Sequence, residues 1–208
     1  MNGRRVLILL AGCGALDGTD PFESAFCHYW LEKLGCEVIY GAPSGNLFQT
    51  VDHLTGKGSD SPKRSILKES SRLARGKIFS LKEISPRLVQ GVVVPGGQGV
   101  SKNNFSFNKK RLPELRPEVS RFLRRHHESR GTILGLSLAE FAVKYAIPES
   151  ADSPSLLELK PGQFVSNEEL GVILAPGSIL SSSSTSLFTE TESVIKEFIN
   201  MMIRRSGS

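Results

Sequence analysis

A buried strand, a sharp turn and the beginning of a helix are predicted within Gly131-Thr-Ile-Leu-Gly-Leu-Ser-Leu-Ala-Glu-Phe-Ala142. A turn of this kind lifts one side chain above the carboxyl edge of a parallel sheet, where a nucleophile commonly stands. We expect the apex of the turn at Leu138. Leucine has no lone pair to attack with and no proton to exchange, so the segment predicts the scaffold of a reactive site without its reactive group.

The rest of the chain alternates between predicted strands and predicted helices. Continuous apolar runs predict strands at residues 6–10, 37–40, 91–95 and 132–136. Helical spacing predicts helices at residues 21–34, 65–74, 119–128, 139–146 and 187–203. Two further short strands, 171–174 and 179–182, are predicted to form a hairpin around Pro176-Gly177. The alternation predicts an α/β fold with a parallel sheet, and we expect one domain over residues 1–208.

Three loops at the carboxyl ends of predicted strands, residues 11–20, 95–103 and 136–140, are glycine-rich or sharply turned. Ligands of open α/β sheets bind beyond these ends. Each loop alone is explained by glycine in a tight turn, whereas the three together predict a shared pocket. The third glycine of a dinucleotide fingerprint would fall at Asp17, and no acidic residue ends the second strand, so we predict no cofactor.

Composition argues against several classes of protein. The apolar runs are far shorter than the roughly 20 residues that span a bilayer, so we predict no membrane contact. Cys13, Cys27 and Cys36 lack paired spacing, which favours a reduced compartment, and the four histidines have no metal-ligand spacing. The chain enters its first strand almost at once. We therefore expect a cytoplasmic protein, or a mitochondrial one whose presequence has been removed.

The positive charge has two interpretations. The formal net charge is +5, and much of it lies in residues 109–111 and 121–130. Nucleic-acid binding through residues 121–130 would weaken steeply with salt. No aromatic residues alternate with the basic ones as in single-strand binders, so we favour a solvated helix face and expect no nucleic-acid partner.

Four motifs occur in a specific order. They are Gly12-Cys-Gly14 with Asp17-Gly-Thr-Asp20, Asp52-His-Leu-Thr-Gly56, Glu69-Ser-Ser-Arg-Leu-Ala-Arg-Gly-Lys-Ile78, and Val92-Val-Val-Pro-Gly-Gly-Gln-Gly-Val-Ser-Lys-Asn103. With them the chain resembles the ElbB/ES1 group of the DJ-1/PfpI superfamily, which has class I glutamine-amidotransferase-like folds. The resemblance covers residues 4–145 well and the last third loosely. It implies a flavodoxin-like three-layer α/β sandwich with a mainly parallel central sheet, often dimeric, so we expect a homodimer.

The resemblance also implies a site. Relatives carry a cysteine at the elbow, a first-loop acid that hydrogen-bonds it, and backbone N–H donors that form an oxyanion hole. Matched from Gly135 and Ala142, the cysteine falls on Leu138 and the acid on Asp20, with Glu23 as a second candidate. The N–H donors would be Gly97 and Ala139. We predict ligand contacts, to a small metabolite or anion, at the pocket residues Gly12, Cys13, Gly14, Gly96, Gly97, Lys102, Asn103, Ala139 and Glu140.

Two hypotheses about function follow. The first is a non-catalytic or regulatory protein that has lost the elbow cysteine and keeps the pocket for a small molecule. The second is a glyoxalase-like or hydrolytic enzyme acting on small carbonyl compounds through Ser137, through Cys13, or through an acid pair of Asp20 and Glu140. No histidine follows Ser137 to activate it. If Ser137 instead occupies the strained turn with an acid within hydrogen-bond reach, the enzyme hypothesis gains support.

Overall fold

A seven-stranded sheet forms the centre of the fold. The computed structural model describes residues 3–107 and 113–207, so the basic residues 109–111 lie outside the described residues. The strands are β1 (Arg4–Leu9), β2 (Cys36–Ala42), β5 (Phe79–Ser80), β6 (Gly91–Val94), β9 (Thr132–Leu136), β10 (Val165–Asn167) and β11 (Val172–Ala175). Their order is β10-β11-β9-β6-β1-β2-β5, and all pairs are parallel except β10 with β11. Strands β6, β9 and β11 and the last four residues of β1 are almost wholly apolar, as expected where helices cover both faces of a sheet.

Six helices flank this sheet. They are α1 (Pro21–Lys33), α2 (Ile66–Leu73), α3 (Val100–Asn103), α4 (Pro117–Glu128), α5 (Glu140–Ala146) and α6 (Ser184–Ser206). Helices α1, α2 and α6 share one apolar core with one side of the sheet, which includes Ile8 and Phe198. Helices α4 and α5 share a second core with the other side, which includes Leu9 and Leu123. The result is the three-layer, mainly parallel sandwich that the sequence predicts.

Two small sheets lie outside the main one. Strand β3 (Thr50–Val51) pairs with β4 (Gly58–Ser59), and β7 (Phe105–Phe107) pairs with β8 (Pro113–Leu115), both antiparallel. The first of these sheets forms in the segment that interrupts the pattern between β2 and α2. Within the described residues, no helix is both long and apolar enough to cross a membrane.

The predicted hairpin around Pro176-Gly177 is wrong. Its first strand exists as β11, but Gly177–Ile179 form one turn of 3₁₀ helix, and residues 180–182 are not a strand. The antiparallel partner of β11 is β10, which precedes it. The chain after β11 thus crosses the carboxyl edge of the sheet instead of returning along it.

Candidate functional site at the strand–helix elbow

The residue at the apex of the elbow is Ser137. Strand β9 ends at Leu136, and Ser137 follows with φ +51° in the left-handed region that side chains other than glycine rarely adopt. Leu138 comes next, half-buried within the 3₁₀ turn Ser137–Ala139 that leads into α5. The prediction of Leu138 as the apex is therefore corrected by one position. A strained residue directly after a central strand is the geometry of a nucleophile elbow.

The acid at this elbow is Glu23 and not Asp20. Asp20 caps α1, since its Oδ1 accepts the backbone N–H groups of Phe22 at 2.8 Å and of Glu23 at 3.2 Å. A carboxylate in this position stabilises the first turn of a helix. Glu23 lies one turn further, is fully buried, and reaches Ser137 with its Oε1. Of the two candidate acids, the structure brings the second one to the elbow.

Glu23 is held by groups from three loops. Its Oε2 accepts the Gly96 N–H at 2.5 Å, and its Oε1 accepts the Ser178 N–H at 2.7 Å. The Ser137 hydroxyl contacts the same Oε1 and lies 2.9 Å from the Pro176 carbonyl oxygen. The carboxyl group therefore joins helix α1, the β6 loop, the elbow and the segment after β11.

The protons of this network indicate a neutral carboxyl. Ser137 has one hydroxyl proton, yet its oxygen is close to both Glu23 Oε1 and the Pro176 carbonyl. A carbonyl can only accept. If Glu23 is protonated, it donates to Ser137, which then donates to Pro176, and both contacts are hydrogen bonds. Burial raises the pKa of the Glu23 carboxyl above its usual 4.5, and the hydrogen bonds from Ser137, Ser178 and Gly96 offset part of that rise.

The three glycine-rich loops pack against one another. The Asp20 N–H donates to the Gly96 carbonyl at 2.7 Å, and the Gln98 N–H donates to the Ala15 carbonyl at 2.8 Å. The buried Asn103 amide donates to the carbonyls of Ala11 and Asp17 at 2.8 and 2.7 Å. Ser137 is only 1% exposed. The predicted pocket between these loops is closed around the elbow, because the loops satisfy each other's backbone groups.

The remaining predicted ligand residues have structural contacts of their own. Gly12, Gly14 and Gly97 have positive φ, and the Gly12 N–H donates to the Ser70 hydroxyl at 2.8 Å. Ala139 is buried in the second apolar core. Glu140 is 3.6 Å from the Lys144 ammonium group one turn along α5. Lys102 is half-buried in α3.

Cys13 is half-buried in the first loop and lies away from the contacts of Ser137. Burial raises the pKa of its thiol, and the positive charge of Arg72 offsets only part of that effect. The thiol form therefore prevails at neutral pH, and a thiol is a weak nucleophile. Among the described residues, no group of three histidine, cysteine, aspartate or glutamate side chains could hold a metal ion.

The sequence analysis missed the contribution of Pro176, Gly177 and Ser178. Gly177 has φ +53°, and a Cβ atom there would lie 2.6 Å from both Glu23 Oε1 and Ser137 Oγ. The segment can cover the elbow only with glycine at this position. The Pro-Gly pair was the available signal, but it is equally typical of a hairpin turn.

The fold of this chain, with its mainly parallel sheet flanked by helices, is similar to the folds of solved DJ-1 superfamily proteins. A solved structure of an isoprenoid biosynthesis protein with an amidotransferase-like domain from Ehrlichia chaffeensis matches 94% of this chain and 99% of its own, with TM-score 0.84 and 21% identity. Drosophila melanogaster DJ-1beta matches 99% of this chain and 96% of its own, with TM-score 0.52 and 12% identity. At such identities these likenesses concern the fold alone.

In sequence, the chain is similar to ES1 proteins. It is 36% identical over 134 residues to the human glutamine amidotransferase-like class 1 domain-containing protein 3, mitochondrial, and 31% identical over 137 residues to the mitochondrial ES1 protein of Danio rerio. Each match covers 64% of this chain, and the chain spans about half the length of these relatives (49% and 50%). No family model matches the chain. The resemblance to the ElbB/ES1 group is confirmed.

Proposed function

We propose that this ES1-like chain has replaced the thiol chemistry of a cysteine elbow by a buried hydrogen-bond network, and that it acts by binding and not by covalent catalysis. The observation that carries the proposal is the contact between Ser137 and the fully buried Glu23. The position at the apex bears a hydroxyl instead of a thiol. Its neighbours from α1 and from the segment after β11 satisfy it, and 1% of the residue is exposed.

A serine at this position has no base to activate it. Attack by a hydroxyl requires an acceptor for its proton, and the carboxyl group in contact with Ser137 is Glu23. The raised pKa of Glu23 favours its protonated form, which cannot take that proton. Among the described residues, no histidine ring is hydrogen-bonded to Ser137. These facts support a network that holds the elbow in place and does not react.

Methylglyoxal consumption tests this proposal. The wild-type protein is compared with the variants Ser137→Ala and Ser137→Cys, and with Leu138→Ala as the matched control one residue away. We expect no turnover by the wild type above that of Ser137→Ala. Wild-type turnover that is lost in Ser137→Ala and kept in Leu138→Ala would overturn the proposal. If only the Ser137→Cys variant shows turnover, the scaffold can still activate a thiol at this position.

One observation favours a second candidate function, a hydrolytic or glyoxalase-like enzyme that uses Ser137 as its nucleophile. The backbone of Ser137 is strained, at φ +51°, and an acid lies within hydrogen-bond reach. Strain of about 1–3 kcal/mol is often retained where a reactive group must be presented. The segment from Pro176 to Ser178 would have to move aside for a substrate to enter. A serine-directed fluorophosphonate distinguishes the candidates, because labelling of Ser137 by mass spectrometry requires both access and activation.

Three further proposals concern the setting of the protein. The relatives named above are mitochondrial proteins, which supports a mitochondrial location over the cytoplasmic one that the sequence favours. Organelle fractionation of cells that express the native gene tests this.

A homodimer is proposed from the family resemblance, with light scattering as its test. The absence of a nucleic-acid partner is also a proposal, which salt-dependent binding of an oligonucleotide would contradict.

A further inference from the structure

A basic crevice lies at the amino edge of the sheet, opposite the elbow. Two cavities, of 480 and 360 Å³, adjoin there and share Arg87 and Ser129 in their linings. We use the name basic crevice for both cavities together. The first extends to Arg125 near the end of α4, and the second extends to Arg130 and to Arg205 near the end of α6. Together they have the volume of a typical small-molecule site.

The positive charge of the crevice is largely uncompensated. Arg87, Arg125 and Arg130 make no ion pair or side-chain hydrogen bond within the described part of the chain. Arg205 donates only to the backbone carbonyls of Arg130 and of residues 168–169. Glu128 is the acidic residue in the lining, against four guanidinium groups. Desolvation and the nearby Arg130 lower the pKa of Arg205, and the negative charge of Glu168 offsets part of that effect.

A second observation concerns the wall of the crevice. Thr132, the first residue of β9, lines the second cavity, and only 1% of it is exposed. Its hydroxyl has no hydrogen-bond partner in the structure. Buried polar atoms are normally paired, so this hydroxyl is an unsatisfied group in the wall of the cavity, beneath its accessible surface.

We propose that the basic crevice binds a phosphate-bearing small molecule that carries two or more negative charges. Guanidinium groups pair with phosphate oxygens through two parallel N–H donors, and several groups around one concave surface match a di- or triphosphate. A nucleic acid fits this site less well, because the lining is a crevice at the sheet edge and the outward arginines Arg121 and Arg124 of α4 are not part of it. The site is remote from the elbow, so it does not depend on whether Ser137 reacts.

Calorimetric titration with inorganic pyrophosphate tests the proposal. The double variant Arg87→Gln/Arg125→Gln removes two crevice cations, and Arg121→Gln/Arg124→Gln removes two cations of α4 that lie outside the crevice. We expect saturable binding by the wild type. The crevice variant should lose affinity about tenfold or more for each lost contact, since a hydrogen bond to a charged group contributes about 1.5–3 kcal/mol. The control variant should change affinity by less than about threefold, through long-range screening alone.

A third variant and a second ligand complete the test. Thr132→Val keeps the shape of the side chain and removes a buried, unpaired hydroxyl, so it should leave thermal stability unchanged or raise it and leave pyrophosphate binding unchanged. Absence of saturable binding at millimolar pyrophosphate in low salt would overturn the proposal, as would equal losses in the two double variants. A single-stranded oligonucleotide that binds more tightly than pyrophosphate, and loses affinity in Arg121→Gln/Arg124→Gln, would assign the charge to nucleic acid and also overturn it.

Discussion

At the scale of single residues, the elbow shows how one position changes the chemistry of a site. Counting from Gly135 and Ala142 places Leu138 at the apex, and that count treats the turn as rigid. The backbone geometry determines which residue stands at the apex. Ser137, at φ +51°, is the residue that contacts the acid. The presence of an elbow could be predicted from the sequence. Its register could not, since φ at one residue leaves no mark on composition or spacing.

Substitution of Glu23 tests the protonated carboxyl. Because the pKa of Glu23 is raised in the folded protein, the folded state binds more protons than the unfolded state above pH 4.5. Stability should therefore fall as the pH rises from 4.5 through the folded pKa, and Glu23→Gln should remove that slope. Glu23→Ala leaves two buried N–H groups unpaired and should cost several kcal/mol, at about 1–3 kcal/mol for each group. Urea unfolding across this pH range measures both effects, and equal slopes for wild type and Glu23→Gln would contradict the assignment.

Gly177 offers a prediction with a matched control. A Gly177→Ala substitution strains the backbone at φ +53° and places a methyl group 2.6 Å from Glu23 and Ser137. We expect a loss of more than 2 kcal/mol, about 1–2 from the left-handed backbone and the rest from the clash. The control is Gly162→Ala, which has φ +79° but a nearest neighbour 3.8 Å away. The control should show the backbone cost alone in urea unfolding. Equal losses would mean that no clash occurs at the elbow.

At the scale of elements, the long helices and the central strands follow from the sequence, whereas the strands of two or three residues do not. Strand β9 was predicted with its observed bounds, and α1 ends one residue before its predicted end. Both have long apolar patterns and clear end signals. Strand β5 has two residues and β10 has three, too few to show a period. In the 3₁₀ turn after Pro176, the Ser178 N–H donates to Glu23. The two residues are distant in sequence, so no local pattern encodes this contact.

Helix α1 allows the structural role of Asp20 to be measured. Asp20→Ala removes the acceptor of two backbone N–H groups and should destabilise the protein by about 0.5–2 kcal/mol. Asp20→Asn keeps an acceptor oxygen and should cost much less. Ser183→Ala, which removes the cap of α6, is the control for an ordinary capping loss. If the asparagine variant loses as much stability as the alanine variant, Asp20 acts through its charge and not as a cap.

At the scale of the whole molecule, the two edges of the sheet differ in openness. The loops at the carboxyl edge satisfy each other and enclose the elbow, while the amino edge carries the basic crevice. The sequence predicts a pocket at the carboxyl edge because ligands of α/β sheets bind there. This rule gives the position of a pocket and does not say whether the pocket is open to solvent. Loop-to-loop hydrogen bonds such as those of Asn103 depend on the assembled fold, so the closure could not be predicted from residue types.

His126 links the crevice to global stability. Its ring is buried between the carbonyls of Pro86 and Thr132. Burial lowers its pKa below 6.5, and the hydrogen bonds to these two carbonyls offset part of that effect. The unfolded state then binds more protons, so stability should decline as the pH falls below about 6.5. The variant His126→Gln should show a smaller decline. Thermal unfolding between pH 7.5 and about 5 checks this, and parallel curves for the two proteins would contradict it.

The shortness of the outer strands has a consequence for how copies of this protein can meet. The sheet is bordered on one side by two-residue β5 and on the other by three-residue β10, which runs against its neighbour. An open edge recruits further strands in proportion to the length of backbone it offers, and short borders offer very little. Continuous strand addition between molecules is thereby discouraged, and fibrillar growth along the sheet has no template to extend.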